Sequence, residues 1–228
     1  MTKRSTVARH VLVCGLVGII GALITIVSDL ILLGKPHDAY SFLILGTQTM
    51  ADIPASIITA GTFLGVFALP FEIAGLITVY YGLKQAGKWL SLVVVIPLVH
   101  ALIMSVAFHV SYAFIGSAWK LNYEMGLQNA SVLDMINKFD YYWKLIISVI
   151  ASELLFSSIL FAIMIFKRNT LYPFWMAFLN PFFVIVLIFP FIFSLATPIG
   201  GFIAPTFLNL AVVIFFTLST IIIYKKTE

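Results

Sequence analysis

The sequence predicts an all-α polytopic membrane protein. Six transmembrane helices form one bundle, both termini are cytoplasmic, and an interfacial helix lies on the outer side between spans three and four. Three observations carry this expectation. Of 228 residues, 62% are hydrophobic and 10% charged, whereas soluble domains carry ~25% charged residues. So few charges cannot coat a globule with water-facing groups, so lipid must solvate most of the surface. The apolar runs are continuous and reach the ~20 residues a spanning helix needs, too long for the alternating strands of ~9–11 residues in a barrel. Lysines and arginines collect at the ends of those runs.

The expected spans are 10–33, 54–83, 89–116, 143–166, 173–196 and 204–224. Backbone polar groups in lipid must be satisfied within the segment, which makes helices the default. Short connections leave no room for a second unit, so residues 1–228 read as a single transmembrane domain. The start resembles the basic region of a signal peptide, but the run after it is too long and lacks a small-residue cleavage site, so it reads as an uncleaved first span. The single Cys14 cannot form an intrachain disulfide.

Basic residues set the orientation. Lys3, Arg4, Arg9, Lys84, Lys88, Lys167, Arg168, Lys225 and Lys226 fall on one side, and Lys35, Lys120, Lys138 and Lys144 on the other. The positive-inside rule places the nine in the cytoplasm, as in a multi-pass protein of the bacterial cytoplasmic membrane. The net charge of +4 thus reflects orientation and argues against nucleic-acid binding.

Two outer connections carry structure. In residues 34–53, Phe42 to Leu45 can dip into the interface. In residues 117–142, Ser131 to Asp134 forms a helix start, followed by Met135, Ile136, Phe139 and Tyr142 at helical spacing, which predicts a helix lying flat on the outer leaflet. Trp119, Tyr123, Tyr141, Tyr142 and Trp143 read as an aromatic belt. Asn129 opens a glycosylation-type triplet. Pro181 and Pro190 break the fifth span, Pro70 precedes Glu72 and Pro97 precedes His100. Irregular backbone beside a buried ionisable group is a common way to line a cavity.

The functional pointers are Asp29, Glu72, His100, His109 and Glu153, the ionisable groups inside the runs, with Asn180 and Asn209. A charge at mid-membrane costs ~2.5–3.5 kcal/mol on the gentlest scale, so such groups face protein or water. Small residues mark those interior faces. Gly18, Ala22, Thr25 and Asp29 share one face, as do Gly61, Gly65, Ala68, Glu72 and Gly75 in the next run. Ala101, Ser105, His109 and Ala113 repeat every four residues, and Val149, Glu153, Ser157 and Leu160 form a fourth face. By depth, Asp29, His109, Glu153 and Asn209 form an expected outer-facing pocket, which Glu72, His100 and Asn180 continue inward. The competing structural reading is that these groups are neutral or bonded to helix ends.

His100 lies nine residues before His109, half a turn away and ~13.5 Å along the axis. The two cannot ligate one metal on a regular helix, and zinc-hydrolase spacing is missing. No metal or other cofactor is expected.

The segment Phe108 to Gly116, the run Pro205 to Leu210 and the pair Ser28 and Asp29 resemble an uncharacterised family of bacterial six-span membrane proteins. The resemblance implies that His109, Asn209 and Asp29 are recurring polar positions. It brings no reaction.

Three functions follow from these residues. The first is binding, or acting on, a lipid or other apolar small molecule, with His109 as acid or base and Asp29 or Glu153 orienting it. The second is a small proton-coupled carrier, for which six spans are few unless the protein is a homo-oligomer. The third is a non-catalytic subunit, sensor or immunity-type protein. The residues leave enzyme and non-enzyme open. Membrane lipids are the expected surroundings in each case.

Overall fold

The computed structural model describes residues 3–126, 129–167 and 169–228, all helix or connection with no strand among them. Arg168, counted above for orientation, lies outside the described residues.

Helix α1 spans Lys3–Leu33. It stops where Gly34 closes a last bond to the Leu30 carbonyl (3.1 Å) and Pro36 follows. The short α2, Ala39–Leu45, is capped by Asp38, whose side chain accepts from the Ser41 amide. The Ser41 hydroxyl and then its amide hold the Asp38 carboxylate below its ordinary pKa. Helix α3 covers Ala55–Leu83 with Pro70 inside it. Gly87, at φ +139°, breaks the chain before α4, Lys88–Glu124.

Helix α5 runs unbroken over Ala130–Lys167, which corrects the expected interfacial helix. Asn129 caps its start, accepting from the amides of Ser131 (3.1 Å) and Val132 (3.2 Å). Between the cap and the apolar run stand Tyr141, Tyr142, Trp143 and Lys144. None is Gly or Pro, so nothing terminates the helix there, and the flat helix and fourth span are one rod.

The fifth expected span is the second correction. Residues 173–196 are a short turn of 3₁₀ helix, Phe174–Phe178, then α6, Pro181–Phe193, of 13 residues. At 1.5 Å per residue α6 is about 20 Å long, short of the ~30 Å hydrocarbon core. The cause is local. Asn180 caps the Phe183 amide and Pro181 occupies the first helical position, so the helix restarts midway through the run. The segment still passes from one end of the bundle to the other. Leu171 donates to the Gly82 carbonyl (2.9 Å) at one end, and Phe193 stacks edge-on with Tyr40 (5.7 Å) at the other. Helix α7, Ile199–Ile203, and a 3₁₀ turn lead into α8, Phe207–Thr227. Five helical stretches are long and apolar enough to cross a membrane, namely Thr6–Leu33, Ala55–Ala86, Lys88–Glu124, Ala130–Lys167 and Ile199–Thr227.

The helices pack in the order α5, α4, α3, α1, α8, α6 around an open arc. The α1–α3 crossing is the closest. A Cβ on Gly18 would lie 2.6 Å from the Gly75 Cα, so only glycine lets these backbones meet. Helix α8 lies against α1 in the opposite direction, with Thr220 beside Gly15 and Asn209 beside Asp29. The described ends of the chain therefore share one end of the bundle. The arc closes where α6 begins, through the Phe182 amide on Ser158 Oγ (3.3 Å) and Asn180 Nδ2 on the Ser158 carbonyl (3.4 Å). Two apolar clusters fill the interior. One, with Val79, Phe161 and Phe215, lies toward that shared end. The other, with Leu32, Ile115 and Met50, lies toward the opposite end.

Candidate binding site in the bundle interior

Between the two clusters lies a cavity of about 260 Å³. Its walls come from α1, α3, α4, α5, α6 and α8, and Phe42 and Leu43 of α2 reach its outer part. Most of the lining is hydrocarbon or aromatic, including Leu98, Leu102, Phe108, Ile150, Val212 and Phe216. The ionisable side chains at its wall are Asp29, Glu72, His109 and Tyr112, with no lysine or arginine.

The small-residue faces of α1 and α3 put these groups in place. Ala22, Thr25, Ser28 and Asp29 are buried on α1, and Gly61, Gly65, Ala68, Glu72 and Gly75 on α3. Asp29 Oδ2 accepts from Asn209 Nδ2 at 2.7 Å, tying α1 to α8. Asp29 Oδ1 lies 3.6 Å from His109 Nε2, and both side chains are about 5% exposed. At that distance the contact is too long for a good hydrogen bond. His109 can approach because Gly65 has no side chain. A Cβ there would fall on the imidazole and lie 2.7 Å from Ser28 Oγ. Ser28 itself donates to the Gly61 carbonyl (2.7 Å), and His109 Nδ1 has no hydrogen-bond partner among the described residues.

Glu72 sits one turn deeper. Its Oε1 accepts from Thr25 Oγ1 at 2.9 Å, and Thr25 is four residues before Asp29. Its Oε2 is buried without a hydrogen-bond partner among the described residues. An unsatisfied buried polar atom costs ~1–3 kcal/mol, which a bound group able to hydrogen-bond there would offset.

Aromatic rings complete the wall. Tyr112 stands edge-on to His109 (5.3 Å, 86°), and Phe108 lies against Trp143 (4.8 Å, 31°). Tyr112 follows His109 by three residues, a helical spacing that shows it in the sequence. Trp143 reads as part of a membrane-surface belt, and only the straight path of α5 turns it inward.

The remaining expected residues lie elsewhere. Glu153 does not join Asp29 and His109. Its Oε1 is 2.6 Å from His100 Nδ1, with side-chain exposures of 23% and 53%. His100 likewise does not continue the pocket inward, because the half-turn between the histidines puts it on the outer face of α4. Asn180 is consumed as a helix cap. Its Oδ1 accepts from the Phe183 amide, and its Nδ2 donates to the Ala177 carbonyl (2.8 Å). Among the described residues no group of three His, Cys, Asp or Glu side chains could hold a metal ion.

No curated protein and no solved structure matches the chain. A family model, described as a family of unknown function (DUF6796), matches residues 1–226. The match spans nearly the whole chain, and the protein belongs to that family.

Proposed function

We propose that this is a multi-pass membrane protein that binds a lipid chain or another apolar small molecule in the central cavity, with the molecule's polar end held by Asp29, His109 and Asn209. The carrying observation is the cavity itself, apolar along most of its wall with its polar side chains gathered on α1, α3, α4 and α8. This is the make-up of small-molecule sites, which place a few polar groups in a hydrophobic cleft of ~300–1,000 Å³. At about 260 Å³ it suits one chain or ring system rather than a whole two-chain lipid. In this reading the entrance lies between α5 and α6, which the Ser158 contacts join at one point. With the basic termini in the cytoplasm, that gap faces the outer leaflet, and Phe42 and Leu43 form its rim.

A phosphatidylcholine with a diazirine in its acyl chain, reconstituted with the protein and photolysed, tests this reading. Label is expected on the cavity side of α4 and α8, at Ser105 and Val212. Ser105→Trp, which fills the cavity, should remove the label from Val212 and leave it on the outward-facing Phe67. Val212→Phe provides the same test from the opposite wall. Label confined to outward-facing residues would overturn the proposal.

A further inference from the structure

Apolar side chains on the outside of a membrane bundle need no explanation, because acyl chains cover them. The His100–Glu153 pair is different. His100 is 12 residues past Lys88 and Glu153 is 14 residues before Lys167, so each lies about 18–21 Å along its helix from the basic end. Both are then near the middle of a ~30 Å hydrocarbon core. Ionisable groups at that depth face protein or water, yet the imidazole is 53% exposed. Its Nδ1 is engaged by Glu153. Its Nε2 has no hydrogen-bond partner among the described residues.

The surrounding face is suited to helix packing. Val93, Ile96, His100, Ile103 and Ala107 are all exposed and follow one another at spacings of three and four. These are the core positions of a heptad, in which a single polar residue fixes register and oligomer state. Helix α4 is also the least covered span. Of its most apolar stretch 22% is buried, against 39–50% in the other four.

We propose that this face is a homodimer interface, in which α4 packs on the α4 of a second copy about a two-fold axis normal to the membrane. The axis sets the two His100–Glu153 pairs at the same depth. Their Nε2 atoms meet across it and share one added proton: one ring, carrying N–H at both nitrogens, donates Nε2–H to the lone pair of the other, and each Glu153 carboxylate accepts from its own ring's Nδ1–H. A second copy fits because the same Nε2, brought to the two-fold axis, serves as donor in one copy and acceptor in the other through the shared proton, so that one patch pairs with its own kind as in an isologous contact. In lipid such a polar contact adds to close packing as the association force.

Cys14 is the sole cysteine, so a Cys14→Ser background allows single cysteines to report the interface. Ile96→Cys, Ile103→Cys and Ala107→Cys should each give a disulfide-linked dimer on oxidation in vesicles. Phe67→Cys on α3 and Leu187→Cys on α6, equally outward-facing, should not. Counting of photobleaching steps at decreasing protein-to-lipid ratio should show pairs in the wild type. His100→Leu should lose the pairs, as should Ala107→Phe, which wedges the face without touching the polar pair. Single bleaching steps in the wild type, equal crosslinking at the control positions, or undiminished pairs in His100→Leu would each overturn the proposal.

Discussion

Helix α4 carries two imidazoles, each beside a carboxylate, and the two pairs differ in almost everything else. His109 and Asp29 are sealed inside the bundle, 3.6 Å apart, with Asn209 holding the carboxylate from the far side. His100 and Glu153 lie on the outside at 2.6 Å, with the imidazole half open. Nine residues rotate a helix by half a turn, so one helix necessarily presents one histidine inward and the other outward. An acid–imidazole pair on a long apolar helix thus has no single meaning. The inner pair is bounded by a cavity and four helices and suits a ligand, whereas the outer pair has one helix beside it and open surface beyond, and suits a partner.

The contrast can be broken at its inner end first. Asp29→Ala removes the acceptor for Asn209 and the carboxyl group beside His109 Nε2 while leaving both buried. Leaving buried polar groups without their partner costs ~1–3 kcal/mol per group, and the midpoint of thermal unfolding in detergent should fall accordingly. A midpoint equal to wild type would mean that the inner pair contributes no more than the outer one.

Gly65→Ala sharpens the comparison without deleting a polar group. The added methyl occupies the imidazole's place against Ser28, so His109 must move or α3 must shift from α1. Overpacking of this kind costs about 1–3 kcal/mol. The His109 ring resonances should shift in NMR while those of His100 stay put. Unmoved His109 signals would show that the close approach does not constrain the ring.

The smallest effect is expected at the outer pair. Glu153→Gln keeps size and an acceptor oxygen and alters one polar contact between α4 and α5, of a kind worth about 0.6 kcal/mol between helices in lipid. Monomer stability in detergent should hardly change. A loss as large as that of Asp29→Ala would put Glu153 in the core of the single copy and erase the distinction.

Much of this was legible in the residues. The small-residue faces of α1 and α3 pointed to the buried side, and Asp29 and Glu72 lie on it. The half-turn between the histidines argued against a shared metal, yet His100 was still expected to continue the pocket inward, and it lies on the outer face instead. The fourth face was not legible, because Glu153 turns to His100 of α4 and none of Val149, Glu153, Ser157 and Leu160 lines the cavity, and a face pattern does not name its neighbour. Asn180 stood among site candidates, although its position just before Pro181 also marks a helix cap. The flat outer helix failed because its periodicity continues into the fourth span with no residue to end it.

What the sequence determined by itself is local: where backbone must be helical, where Asp38, Asn129 and Asn180 cap, and which side of each helix is apolar, small or charged. These follow from neighbours within a turn or two. What only the tertiary structure decided is pairing. Asp29 meets Asn209 across 180 residues, Glu153 turns to His100 rather than His109, Trp143 faces a cavity rather than a headgroup, and two apolar clusters leave a void between them. Each depends on how straight rods of different length pack around one another, and contacts between distant segments carry no spacing signature in the chain.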